Sequence, residues 1–254
     1  MNRILLSAVA TTALTMAAGA EDTRLYELRI YTAEKGKLND LNARFRNHTI
    51  KLFEKHGMTN IGYWVPTNGE EKLYYILVHK DKAARDTSFK NFSADADWKK
   101  VVAESEKNGK LVKSVEVLFL TATDYSPPVK AEMGKDDRVF ELRTYTATKG
   151  NLDALNSRFR DHTLKLFEKH GMTNFAYFTL TKDLKQKNDD VMLIYLIAHK
   201  SEEAAKKSFD TFRLDPNWVA AKDASEKKAG GSLTEKEGGV KSLFLKATDY
   251  SMTK

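Results

Sequence analysis

Asn47-His48-Thr49-Ile50-Lys51-Leu52-Phe53-Glu54-Lys55-His56-Gly57-Met58-Thr59-Asn60 returns as Asp161-His162-Thr163-Leu164-Lys165-Leu166-Phe167-Glu168-Lys169-His170-Gly171-Met172-Thr173-Asn174, with twelve of the fourteen positions identical. The chain therefore contains itself twice. A period above about 100 residues points to two domains of one fold rather than to a solenoid of short repeats. Within the stretch, apolar residues recur at helical spacing from Leu38 through Leu41, Phe45, Leu52 and Phe53, which predicts one amphipathic helix to about His56. Gly57 and Gly171 stand where a left-handed helix stop is expected, just after Lys55-His56 and Lys169-His170, whose positive character suits a helix C-terminus.

Upstream, Arg24 to Thr32 alternates, with Tyr26, Leu28 and Ile30 on one side and Glu27, Arg29 and Tyr31 on the other. That is the period of a strand with one face in an apolar core. The second copy repeats it with Phe140, Leu142 and Thr144 against Glu141, Arg143 and Tyr145. Downstream, Asn60–Val65 and Lys72–His79 flank the turn Pro66-Thr67-Asn68-Gly69 and read as a hairpin. The second copy carries six extra residues at this hairpin, within Thr181 to Asp190. Asp81 and Ser201 are placed to cap a second helix, and a shorter helix carries Trp98 or Trp218. A last strand, Val115–Thr121 or Val240–Lys246, runs in both copies into Ala-Thr-Asp-Tyr-Ser.

Each copy thus reads β-α-β-β-α-β, the ferredoxin-like arrangement of a four-stranded antiparallel sheet with both helices on one face. The expected fold class is α+β. Its two tandem modules, residues 22–126 and 138–254, are joined by a linker at 127–137 and close their open sheet faces on each other as a pseudo-dimeric α/β barrel. On this reading the Glu27-Arg29-Tyr31 and Glu141-Arg143-Tyr145 rows lie on the facing sheets, where Glu27, Arg29, Glu141 and Arg143 form interface ion pairs.

The elements Tyr26-Glu27-Leu28-Arg29-x-Tyr31, Gly36, Leu52-Phe53-Glu54-Lys55-His56-Gly57-Met58, Tyr63-Trp64 and the region around Trp98 occur in order, and several of them occur twice. In this the chain resembles the NIPSNAP family of the dimeric α/β-barrel superfamily. The resemblance implies ferredoxin-like modules paired face to face. It implies no single chemistry, because the superfamily includes cofactor-free monooxygenases, haem-using enzymes and small-molecule binding proteins.

Composition narrows the function classes. The chain has 254 residues, 41% hydrophobic and 30% charged, with a net charge of +7 spread among acidic residues rather than massed, so neither a nucleic-acid surface nor a stable membrane span is expected. There are no cysteines, which excludes disulfides, thiol nucleophiles and thiolate metal sites. Residues 1–20 have a positive start, an apolar run and Ala18-Gly19-Ala20, the pattern of a signal peptide cleaved near Ala20. The expected location is periplasmic or extracellular.

All six histidines fall in the repeat as His48/His162, His56/His170 and His79/His199. His48 and His162 lie on the flank of the apolar stripe, as packing histidines or as a general base or metal or haem ligand facing a pocket between helix and sheet. His56 and His170 read as helix-end caps. His79 and His199 share strand faces with Tyr75 and Tyr195, and with Tyr31 and Tyr145 they could line the same pocket. No carboxylate stands at metal-ligand spacing to these histidines, so no metal site is expected; no cofactor is required, with haem left open. The sequence supports a ligand-binding protein for a small, largely apolar molecule, with a non-catalytic scaffold and a haem-linked or cofactor-free oxygenase as alternatives. Pairing is expected within the chain, and a homo-oligomer is compatible with it.

Overall fold

The computed structural model describes residues 22–134, 138–182, 184 and 191–254. The expected signal peptide and most of the six-residue insertion lie outside the described residues. In the first half β1 (Leu25–Ala33) is followed by α1 (Leu38–Arg44), a π-helical turn (Phe45–Thr49), α2 (Ile50–Lys55), β2 (Thr59–Pro66), β3 (Lys72–His79), α3 (Lys82–Ala94), α4 (Ala96–Ser105) and β4 (Val112–Ala122). The second half repeats this as β5 (Val139–Thr146), α5 (Leu152–Arg158), a π-helical turn (Phe159–Thr163), α6 (Leu164–Lys169), β6 (Thr173–Leu180), β7 (Met192–His199), α7 (Glu202–Arg213), α8 (Pro216–Ala229) and β8 (Val240–Ala247).

The expected module order closes into one barrel, β1-β3-β2-β8-β5-β7-β6-β4, with every named pairing antiparallel. Within each half the strands run 4-1-3-2 in ferredoxin-like order. Two short seams join the halves: Trp64–Pro66 with Leu245–Ala247, and Leu120–Ala122 with Phe178–Leu180. Closure removes the open sheet edges that each module alone would present.

The face assignment differs from the sequence reading. Tyr26 and Leu28 point into the barrel and pack with Phe140, Phe178 and Leu245 of the other half; Tyr26 meets Phe178 at 5.0 Å and Trp64 meets Phe140 at 5.5 Å between ring centroids. Glu27, Arg29 and Tyr31 instead face the helices of their own half, so the Glu27–Arg29 and Glu141–Arg143 pairs are not interface pairs. The physical reason is that burying the drier face between two sheets removes more apolar surface from water, while the polar row is satisfied by its own neighbours. Ion pairs between the halves come from elsewhere. Arg46 forks onto Asp249 at 2.6 Å, and Arg160 onto Asp124 at 2.6 and 2.7 Å.

That explains the repeated Ala-Thr-Asp-Tyr-Ser. Each tail leaves its own sheet and docks on the opposite half: Tyr250 donates to Asn42 and Ser251 accepts from the Tyr63 amide, while Tyr125 donates to Asn156 and Ser126 accepts from the Tyr177 amide. The expected linker is tied down as well, with Val129 in the barrel core and Gly134 donating to the Lys254 carbonyl.

The predicted long helix is broken in register by its π-turn. Ile50 donates its amide to Phe45, five residues back, and Thr49 Oγ1 adds a bond to the Arg44 carbonyl at 3.2 Å; Leu164, Phe159, Thr163 and Arg158 repeat both bonds. The extra residue per turn keeps Leu41, Phe45, Thr49 and Phe53 on one buried line. Gly57 and Gly171 end the helices at φ +75° and +80°, a conformation open to glycine without steric cost. No helix among the described residues is long and apolar enough to cross a membrane.

Candidate functional site

Each half carries a polar network between its sheet and helices. In the first half the buried Glu27 carboxylate accepts from Arg29 Nη1 at 2.5 Å, pairs with His79 Nε2 at 3.1 Å, and receives a two-pronged bond from Arg85 on α3 at 2.8 and 3.0 Å. Arg29 also donates to Tyr75 and Tyr31 at 2.9 and 3.3 Å. Strand alternation places Glu27, Arg29 and Tyr31 on one face, and the β1–β3 register sets Tyr75 opposite Arg29. Burial acts to raise the Glu27 pKa, but the His79 and Arg85 hydrogen bonds and the arginine charges outweigh it and bring it to about 2.

The second half keeps Arg143 donating to Glu141, Tyr195 and Tyr145, and His199 pairing with Glu141 at 2.9 Å. It differs at one corner. Ser242 donates to Glu141 Oε1 at 2.5 Å, and the residue matching Arg85 is Ala205. The carboxyl still sits below its usual range, since burial, which raises it, is outweighed by His199, Arg143 and Ser242.

His48 and His162 are not part of these networks. Both are exposed, because the π-turn rotates them off the stripe that faces the sheet. They line grooves on the far side of the first helix. The first groove, about 620 Å³, runs between α1 with its π-turn and α4, past Arg44, His48, Lys100 and Val101. The second, about 360 Å³, lies past Arg158, His162 and Lys228 over Ala154, Ala221 and Ala224. The structure thus separates the residues expected to share one pocket: Tyr31, Tyr75 and His79, with Tyr145, Tyr195 and His199, lie in the polar networks, whereas His48 and His162 stand at the grooves.

His56 and His170 sit at helix ends, as read from sequence, but their rings also bridge helices. His56 Nε2 lies 2.6 Å from Asp95, the residue capping α4, and His170 Nε2 lies 2.9 Å from Asp215, which caps α8.

The sequence reading overlooked Arg44 and Arg158. Each is 6% exposed at the inner wall of its groove, stacked against Trp98 or Trp218 at 5.4 or 5.3 Å, and among the described residues its Nε has no hydrogen-bond partner. Their first bonds are to Glu106 at 2.8 Å and Glu226 at 3.4 Å. The signal was the repeated Arg-Phe-Arg at 44–46 and 158–160. No group of three or more His, Cys, Asp or Glu able to hold a metal occurs among the described residues.

Two ferredoxin-like modules closed into one barrel define a dimeric α/β-barrel protein in which a single chain supplies both modules. Three solved structures share this architecture over most of the chain. A candidate monooxygenase from Lactobacillus acidophilus is 14% identical, covering 89% of this chain and 94% of its own, at a TM-score of 0.52. A candidate monooxygenase from Fusobacterium nucleatum is 12% identical, covering 88% and 92%, at 0.53. An anthrone oxidase-like protein is 14% identical, covering 92% and 94%, at 0.53. Identities this low establish the fold alone. The NIPSNAP family model matches residues 26–127, the first module. No curated protein sequence matches the chain.

Proposed function

We propose that the protein binds a small organic acid with an apolar body in the twin grooves beside His48 and His162. The observation that carries this is the duplicated pairing of a buried, incompletely bonded arginine with an exposed histidine at a groove of ligand size. The second groove is the better fit. Ala154, Ala221, Ala224 and Ala229 supply an apolar floor, and Arg158, His162 and Lys228 outnumber the single acid Asp161. Its volume lies at the lower end of the usual 300–1,000 Å³ for small-molecule sites. A carboxylate is the group a planar guanidinium recognises best.

Trp98 and Trp218 stack on the two arginines, so tryptophan emission reads groove occupancy. Hexanoate and benzoate are expected to shift that emission saturably, and hexanol is not. The paired substitution His48→Ala with His162→Ala should weaken the response about tenfold while the protein stays folded; unchanged affinity in that variant removes the histidines from the site. Oxygenation, the activity attached to two of the fold neighbours, becomes the better reading if dissolved oxygen is consumed when a bound acid is present. Export, with cleavage near Ala20, belongs to the same proposal and is tested by the N-terminal sequence of the protein recovered from a secreting host.

A further inference from the structure

The two halves differ most pointedly above the buried carboxylate. In the first half the Arg85 guanidinium forks onto both oxygens of Glu27 and lies over the Phe89 ring at 4.2 Å and the Phe119 ring at 5.2 Å. The second half keeps the carboxylate (Glu141) and both rings (Phe209 and Phe244) but has Ala205 in place of the arginine. The space is open: a hollow of about 620 Å³ is lined by Glu141, Arg143, Phe209, Ser242 and Phe244, with Glu202 and Glu203 at its edge.

We infer that this hollow is a binding site for a small guanidinium or alkylammonium compound, whose cationic head takes the place that Arg85 fills in the first half. The site is separate from the grooves beside His48 and His162, and the inference does not depend on them.

Two observations support the cation. Glu141 is 2% exposed at its side chain yet lines the hollow, and among the described residues its Oε2 is bonded to His199 alone. Ser242 replaces Val117 and occupies Oε1, so one acceptor position faces the space that the second prong of Arg85 would have filled. At the edge of the hollow Glu202 and Glu203 stand where the first half has Lys82 and Ala83, while Lys206 stands where it has Asp86. Of the basic residues present, Arg143 holds Glu141 Oε1 and lies over Phe209 at 4.6 Å, as Arg29 lies over Phe89 at 4.8 Å beside Arg85 in the first half; Lys206 and Arg213 pair with Asp210 at 2.8 and 3.1 Å, their side chains 80% and 62% exposed, with Arg213 reaching the rim of Phe209 at 5.7 Å. A planar cation between aromatic rings and above a carboxylate gains both the cation–π and the charge-assisted hydrogen bond.

The test is calorimetric titration of the full chain with ethylguanidinium, using N-ethylurea as the neutral isostere and sodium chloride as the ionic-strength control. Wild-type protein should bind one equivalent of ethylguanidinium and none of the urea. Ala205→Arg, which supplies the guanidinium from the chain, should weaken binding at least about tenfold, and Glu141→Gln by about the same factor. Arg85→Ala, which empties the matching space in the first half, should add a second equivalent. The inference is overturned if wild-type protein shows no saturable binding, if N-ethylurea binds equally well, or if Glu141→Gln and Ala205→Arg both leave the affinity unchanged. Should Ala205→Arg fail to fold, the change in stoichiometry with Arg85→Ala decides: one equivalent before and after refutes the assignment.

Discussion

Removing Arg85 from the first half and repairing the loss with the second half's own solution tests whether the Glu27 network is understood. Arg85→Ala deletes two bonds to a fully buried carboxylate, at 2.8 and 3.0 Å, and the contact with Phe89 at 4.2 Å. Stripping one partner from a buried charge costs roughly 3–5 kcal/mol when nothing else holds it. Glu27 keeps Arg29 and His79, so about 2–3 kcal/mol is expected. At about 2–4 °C per kcal/mol for a chain of this size, the midpoint of thermal unfolding should fall by about 5–10 °C. Val117 is the residue where the second half has Ser242, and the strand registers set Val117 opposite Arg29 as they set Ser242 opposite Arg143. In the Arg85→Ala background, Val117→Ser should hand Glu27 a hydroxyl and recover about 1 kcal/mol, because a hydrogen bond to a charged group is worth roughly 1.5–3 kcal/mol before the lost valine packing is subtracted. With Arg85 present the oxygen is already occupied and the same substitution should only destabilise. Urea unfolding of the four proteins measures the coupling. Additivity within about 0.5 kcal/mol would refute the claim that serine and arginine are alternative partners of one carboxylate.

Acid should expose the same group. The Glu27 pKa is lowered to about 2 from 4.5 in the unfolded chain, so its contribution, about 3 kcal/mol, is fully present above pH 4.5 and is lost as pH falls through about 2; the stability gap between wild type and Glu27→Gln, followed by urea unfolding, should narrow over that window and be flat above it. Gly62 leaves room for Trp64, since a Cβ there would come within 2.3 Å of the indole, and the second half has Ala176 with Phe178 at these positions. Gly62→Ala should therefore cost about 1–3 kcal/mol, and adding Trp64→Phe should return part of it; a harmless single substitution would contradict the packing described. Asp95 caps α4 through the Asp97 amide and holds Lys55 and His56, so Asp95→Ala should lower stability by about 1–2 kcal/mol, checked by thermal unfolding at neutral pH.

Much of the fold was legible because the repeat supplied two readings of every element. Strand alternation, the glycine stops at 57 and 171 and the caps at Asp81 and Ser201 agree in both copies and with the structure. The orientation of β1 was not legible, because alternation separates two faces without saying what covers each. Tyr26-Leu28-Ile30 would suit a helix layer as well as a second sheet, and the choice depends on what Arg85 and His79, more than fifty residues later, bring to Glu27. The π-turns were hidden for a related reason: a Thr hydroxyl bonding five residues back leaves no pattern at the spacing used to recognise a helix. That shift moved His48 and His162 away from the sheet, and with them the place where a pocket was sought. The Arg85 to Ala205 exchange stood in plain view in the sequence, but it acquires meaning only when the register sets both positions above equivalent carboxylates.

The barrel interior has a consequence for the birth of the molecule. Its core is shared, with Tyr26, Leu28 and Ile76 packing on Phe140, Phe178 and Leu245, and the strand that closes one seam, β8, is made after every other strand of the barrel. A ribosome adding about 5–20 residues per second needs on the order of ten seconds to make the second half after the first is complete. A first module that forms its sheet within that interval would have one apolar face with nothing to cover it. Two such chains on neighbouring ribosomes could trade modules and close each other's barrels with the same contacts. Slow-codon stretches or a holding chaperone acting between residues 126 and 240 would then govern the yield of chains that close on themselves.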